Sequence, residues 1–265
     1  MPPAEPQFID VGIGAARRRI ACLSQPGAGK GPGLIWLQGF KSDMVSTKAS
    51  ALAEWAAERG QALTRFDYSG HGQSLYDTAG GQFEDGTLGR WIEEARSVFD
   101  ALTTGPQIVI GSSMGGAIAL TLLKRLQVEH PAAAARIKAL VLIAPAWDMT
   151  EELMWKQFPS AVQAEVMNKG VWLRPSQYGD PYPITRQLIE DGRRHLIGGK
   201  RWDPGRPIAI LHGRLDPDVP FAHSERLLGF LDGGLARLTE VPDGEHRLSR
   251  PEDLALLFGL IEAVS

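Results

Sequence analysis

Cysteine is almost missing from this chain: 265 residues contain one, Cys22. A single thiol excludes an internal disulfide framework. Long hydrophobic runs are missing too. No stretch reaches the roughly 18 apolar residues that a membrane-spanning helix needs, so no span is expected. Positive charge is not in excess. The 28 Lys and Arg face 31 Asp and Glu, a net charge of −3, so no nucleic-acid surface is expected. The one basic run, Arg17-Arg18-Arg19, reads as the solvated face of an early strand. There is no His-Glu-x-x-His and no clustered His/Cys spacing, so neither a metal nor another cofactor is expected. Gly29-Lys30 is followed by Gly31 where a phosphate-binding loop needs Ser or Thr, which rules out nucleotide binding there. The first ten residues carry no apolar signal core and lack the Arg- and Ser-rich character of a mitochondrial leader. The expectation from them is a cytoplasmic protein.

The chain is organised around residues 108–116, Ile-Val-Ile-Gly-Ser-Ser-Met-Gly-Gly. Three β-branched residues predict a buried strand, and the small and apolar run from Ala117 to Leu126 predicts a helix. Between them Gly111-Ser112-Ser113-Met114-Gly115 fits G-x-S-x-G in the strand–turn–helix context of a nucleophile elbow. The flanking glycines let backbones approach closely. The free N–H groups and positive dipole end of the helix then face the central serine, Ser113. The simpler alternative is a strand–helix turn that happens to contain serines.

Around this segment, apolar strands alternate with helices. Strands are expected at 34–37, 61–66, 139–144, 207–211 and 235–241, and helices at 44–59, 87–102 and from 249 onward. Such alternation predicts a mostly parallel sheet covered on both faces. Residues 1–12 read as a loose lead-in and 15–24 as an edge strand. The alternation stops at 147–205. That stretch is rich in large aromatics, Trp147, Trp155, Phe158, Trp172, Tyr178, Tyr182 and Trp202. It is too long for a loop and reads as a cap of short helices over the carboxyl ends of the strands. The organisation expected is a core of 1–146 and 206–265 with a cap insertion at 147–205.

A serine needs a base, and the base needs an orienting acid. His246 sits in the polar loop Asp243-Gly244-Glu245-His246 directly after the last strand, where it can reach the elbow. The acid belongs in the loop after the preceding strand, which offers Asp216 and Asp218. Asp216 is preferred; Asp218 also reads as a helix N-terminal carboxylate. His212 reads as a residue that packs or fixes the loop. An oxyanion hole is then expected from two backbone N–H groups, those of Met114 and Phe40. Of the cap cations Arg193-Arg194-His195, the simplest reading is a solvated helix face. The functional alternative has Arg194 steering an anionic leaving group.

With these residues in place the chain resembles the α/β-hydrolase-fold serine hydrolases. More narrowly it is similar to a mitochondrial group of acyl-protein thioesterases that also cleave acyl glucuronides. The likeness rests on Gly39-Phe40-Lys41-Ser42-Asp43-Met44, Arg65 through Ser74, Thr87 through Trp91, Gly111 through Gly116, Gly170-Val171-Trp172 and His246-Arg247-Leu248. Gln38 departs from it, standing where that group often has Pro. The resemblance implies an α/β-hydrolase fold with a small helical cap, and Ser113, Asp216 and His246 as nucleophile, acid and base. It also implies a small-molecule ester or thioester, or an acylated protein, as substrate. Alternatives on the same triad are a carbon–carbon bond hydrolase, an amidase, or a non-catalytic ligand receptor.

Overall fold

The computed structural model describes residues 5–29, 31–76, 80–175 and 181–265. Among these described residues the strands, in chain order, are β1 Gln7–Val11, β2 Arg18–Gln25, β3 Gly33–Leu37, β4 Leu63–Phe66, β5 Gln107–Ser112, β6 Ile137–Ile143, β7 Val171–Arg174, β8 Tyr182–Thr185, β9 Ile208–Gly213 and β10 Ala236–Val241. The α-helices are α1 Thr47–Glu58, α2 Leu88–Leu102, α3 Met114–Glu129, α4 Pro131–Arg136, α5 Ser160–Lys169, α6 Arg186–Gly192, α7 Phe221–Phe230 and α8 Pro251–Ala263. Eight strands make one sheet in the order β1-β2-β4-β3-β5-β6-β9-β10. The β1–β2 and β2–β4 pairs are antiparallel, and every other pair in that sheet is parallel.

Side-chain alternation along the central strands makes the two layers. Leu34 and Trp36 of β3, Ile108 and Ile110 of β5, and Val141 and Ile143 of β6 pack with α1 and α8 through Leu52, Trp55, Leu257 and Ile261. Ile35, Leu37, Val109, Leu140 and Leu142 point the other way, against α2 and α3. Each such buried aliphatic side chain contributes about 1.5–3 kcal/mol relative to exposure. Because the central strands are covered on both faces, their ends are left as the place for a site.

Three expectations are corrected at the edges of this frame. The lead-in forms β1, which is the outer strand, so β2 lies one place in. Arg18 is not solvated. Its buried side chain pairs with buried Glu94 at 2.6 Å, because β2 faces α2 instead of water. The last helix, expected from 249, starts at Pro251 with Arg250 as its N-cap, the Arg250 N–H donating to Asp253 Oδ2 at 3.0 Å.

Between β6 and β9 the chain leaves the sheet. It forms a π-helical turn at Thr150–Met154, a 3-10 turn at Trp155–Gln157, then α5, the antiparallel β7–β8 pair and α6. The β7–β8 pair was not expected from the sequence. Tyr178 lies outside the described residues.

Candidate active site

Strand β5 ends by delivering Ser113 onto a strained turn, with φ 54° and ψ −116°. A side chain there is disfavoured and must be held by its surroundings. Ser113 N–H donates to the Ile143 carbonyl at 2.8 Å, and the Ser113 carbonyl accepts from Ala146 N–H at 3.1 Å. The space explains the glycines. A Cβ on Gly115 would lie 1.9 Å from the Leu37 carbonyl oxygen, and one on Gly111 2.5 Å from the Gly115 oxygen. Only glycine lets α3 start this close to β3 and β5.

Two loops bring the remaining groups to Ser113. The loops after β9 and β10 are stitched by Leu215 N–H donating to the Gly244 carbonyl at 2.9 Å. His246 Nε2 then lies 3.1 Å from Ser113 Oγ, and His246 Nδ1 lies 2.7 Å from Asp216 Oδ2. The carboxylate is buried and Nδ1 must donate to it, which leaves the Nε2 lone pair for the serine hydroxyl. Asp216 Oδ1 accepts the N–H groups of Asp218 and Val219, each at 2.8 Å. Burial pushes the Asp216 carboxyl up. The donors His212 and His246, with the backbone N–H of Val219, more than offset this and hold it well below the usual carboxylate range. Asp218 lines the same cleft but is not the residue that meets His246 Nδ1.

His212 has a more specific place than packing. Its Nε2 lies 3.2 Å from Asp216 Oδ2 and 2.9 Å from the Val219 carbonyl, and its Nδ1 meets Ser224 Oγ at 2.7 Å. It therefore helps orient the carboxylate, meeting the same oxygen as His246. Its sequence signal was weak: only adjacency to the acid loop.

The Phe40 loop lies against the serine. A Cβ on Gly39 would lie 3.3 Å from Ser113 Cβ and 3.9 Å from Ser113 Oγ. Among the described residues, neither Phe40 N–H nor Met114 N–H has a backbone acceptor outside regular elements. Both residues border a cleft of about 530 Å³ or lie directly beside its Ser113.

The cleft has an apolar wall of Met149, Leu153, Met154 and Ile184, and a rim with Lys41, Lys48, Arg174 and Arg247. Burial, with the Arg247 charge, pushes the Lys48 ammonium down to about 8. The expected aromatic lining is largely elsewhere. Among the described cap aromatics only Tyr182 lines the cleft. Trp147 stacks on His223 of α7 at 4.8 Å, and Phe158 packs edge-on to Trp172 at 5.1 Å, because these rings join the main hydrophobic core on the α2 and α3 side of the sheet. Arg194 does not line the cleft. Its side chain is 73% exposed and sits 3.9 Å from Asp191, away from the cleft residues, so the solvated helix face is what forms. Arg193 pairs with Glu151 at 3.1 Å.

Among the described residues one group has metal-ligand types close together, Asp216, Asp218 and His246. The Asp216 oxygens already accept four hydrogen bonds. Cys22 is buried and its thiol is pushed up to about 12, which removes it as a nucleophile at neutral pH. No helix of the described chain is long and apolar enough to cross a membrane.

A family model described as serine aminopeptidase, S33 matches residues 35–191, more than half of the chain. Palmitoyl-protein thioesterase ABHD10, mitochondrial, from Pongo abelii is 35% identical over 239 residues, which is 88% of this chain and 73% of that protein. The structure of mouse α/β-hydrolase domain-containing protein 10 is similar at 28% identity, with a TM-score of 0.82 over 98% of each chain. A crystal structure of a hydrolase from Agrobacterium vitis S4 is similar at 41% identity, with a TM-score of 0.92 over 99% of each chain. These relatives correct the expected compartment. The named thioesterases are mitochondrial, which points away from the cytoplasm. Address segments are read separately from the folded domain, so the composition of the first residues was a poor guide.

Proposed function

The chain belongs to the serine aminopeptidase S33 family of α/β-hydrolases, in its ABHD10 group, and on that premise we propose that it cleaves acyl esters and thioesters through Ser113. Hydrolysis of ester-type bonds follows from membership. The finer reading rests on one observation: the continuous hydrogen-bonded line from Ser113 Oγ through His246 to Asp216 Oδ2, at 3.1 and 2.7 Å.

Ser113 Oγ attacks the acyl carbonyl while His246 Nε2 takes its proton. Asp216 stays ionised, holds the His246 tautomer and stabilises the imidazolium. The N–H groups of Phe40 and Met114 receive the charge that develops on the carbonyl oxygen. His246 then gives its proton to the departing alcohol or thiol. A water repeats the sequence on the acyl-enzyme and frees the acid. No cofactor is needed. Residues 147–205 act as a cap, and their Met149, Leu153, Met154 and Ile184 take an apolar acyl chain. The relatives named palmitoyl-protein thioesterases support a long acyl chain and a thioester. A free peptide amine is disfavoured as substrate, because the rim carries Lys41, Lys48, Arg174 and Arg247 against one acid, Asp218.

The test is fluorophosphonate labelling of the protein and its Ser113→Ala variant, then rates on esters and thioesters of graded acyl length. Labelling at Ser113 with turnover that rises with chain length supports the proposal. Binding of esters without turnover favours a receptor and removes it.

A further inference from the structure

The oxyanion side of the cleft is built on a strained loop. Lys41, directly after Phe40, has φ of 54°. A non-glycine residue there persists only when neighbours hold it. Asp67 holds the far end of the loop, its Oδ1 accepting Met44 N–H at 2.7 Å. Ser42 N–H closes a turn on the Gly39 carbonyl at 3.2 Å. The backbone of the strained residue is tied by Lys41 N–H donating to His71 Nε2 at 3.2 Å, while its ammonium lies over the Phe83 ring at 5.0 Å.

His71 is buried in the loop after β4. Its Nδ1 lies 3.2 Å from the Ser69 carbonyl. A carbonyl only accepts, so Nδ1 carries the proton and Nε2 keeps a lone pair. Burial pushes His71 down to about 4, aided by the nearby Lys41 charge, so the ring is neutral near pH 7. The imidazole is boxed by Phe83, Trp91 and Tyr68, with centroids at 5.0, 5.3 and 5.9 Å. The Phe40 ring joins the same box, 4.8 Å from Phe83.

We propose that His71 is a positioning residue: by accepting Lys41 N–H it fixes the strained turn that aims Phe40 N–H at the acyl oxygen. It does not touch substrate. The inference rests on the serine-hydrolase reading above. It has a consequence that packing alone lacks, because the lone pair matters and the ring does not.

Two variants pull these apart. His71→Gln places an amide oxygen near the Nε2 position and loses the ring. His71→Phe keeps a ring in the aromatic box and has no acceptor. Ester turnover is measured per serine titrated with a fluorophosphonate, which counts only competent molecules. His71→Leu, smaller and equally without an acceptor, replaces the Phe variant if the larger ring is not tolerated. Losing an oxyanion donor outright costs about 10²–10³-fold in kcat. A loosened donor is expected to cost less, so the acceptor-free variant should lose about 10- to 100-fold in kcat with KM within about threefold. His71→Gln should stay within about fivefold of the unmodified protein. The reverse order, with Phe active and Gln impaired, marks a packing role and overturns the inference. Equal losses in both, or loss in neither, overturn it as well. Failure of the underlying reading looks different: the unmodified protein would then turn over no ester and take no label at Ser113.

Discussion

Replacing Asp216 with Asn tests the site at its most constrained point. Four donors converge on this carboxylate: two backbone N–H groups on Oδ1 and the two imidazoles of His212 and His246 on Oδ2. An Asn side chain has one acceptor oxygen, so in either orientation two of the four donors lose theirs. Backbone N–H groups cannot change what they are, whereas an imidazole can change tautomer. The amide oxygen therefore stays with Asp218 and Val219, and the NH₂ faces His246. His246 must then accept through Nδ1, which moves its proton to Nε2, opposite Ser113 Oγ. A base in that tautomer cannot take the serine proton. The imidazolium also loses its counter-charge. The expected loss is about 10⁴-fold in kcat, the scale of the same substitution in serine proteases, or about 5 kcal/mol of transition-state stabilisation. KM should change little. His212 loses the carboxylate but keeps the Val219 carbonyl, 2.9 Å from Nε2, as an acceptor, so the cost is that of one hydrogen bond, about 0.5–1.5 kcal/mol of stability. The assay is kcat on an activated short-chain ester, corrected by active-site titration, with urea unfolding alongside. If Asp216→Asn keeps more than a tenth of the activity while Asp218→Asn loses it, the acid lies two residues further along and the tautomer reasoning is wrong.

Three more outcomes are expected. Ser113→Ala should lose on the order of 10⁶-fold in kcat and Ser112→Ala far less; a dead Ser112→Ala with an active Ser113→Ala would refute the elbow assignment. Arg194→Ala should leave kcat/KM within about twofold for a neutral ester and an anionic one of the same acyl chain, since its side chain is 73% exposed and beside Asp191; a loss selective for the anionic ester would bring the arginine back into the site. Burial pushes the pKa values of His71 and His223 down to about 4 in the folded chain, so between about pH 4 and 6.5 the unfolded state binds more protons there and stability rises with pH. Asp67, raised to about 6 by burial, works in the opposite direction, as do Glu94 and Asp148, whose carboxyls burial also raises. The histidine contribution is therefore read by difference: the change in urea midpoint from pH 5 to pH 7 should be less positive in His223→Gln than in the unmodified protein, and an unchanged profile contradicts it.

The elbow was legible because its cues are local. Gly111 is demanded by Gly115, four residues on, whose oxygen a Cβ would meet at 2.5 Å, and the apolar run of β5 announces a strand buried on both faces. The chain order of Ser113, Asp216 and His246 was legible for a related reason: each lies at or directly after the end of a strand that apolar periodicity identifies. Long-range partners were not legible. Arg18 in a basic triplet looks solvated until α2 places Glu94 against it across 76 residues. The cap aromatics look like a pocket until Trp147 turns onto His223.

Sequence alone therefore determined the strand–helix rhythm, the elbow and the order of its candidate partners. These follow from side-chain size, periodicity and backbone strain, which act between near neighbours in the chain. Tertiary structure alone decided which imidazole meets which carboxylate oxygen, that Arg194 faces water, and that His71 reaches Lys41 N–H. Those outcomes depend on a few tenths of an ångström between segments 30 or more residues apart. Hydrogen bonds form or fail on that scale, and no periodicity in the sequence records it.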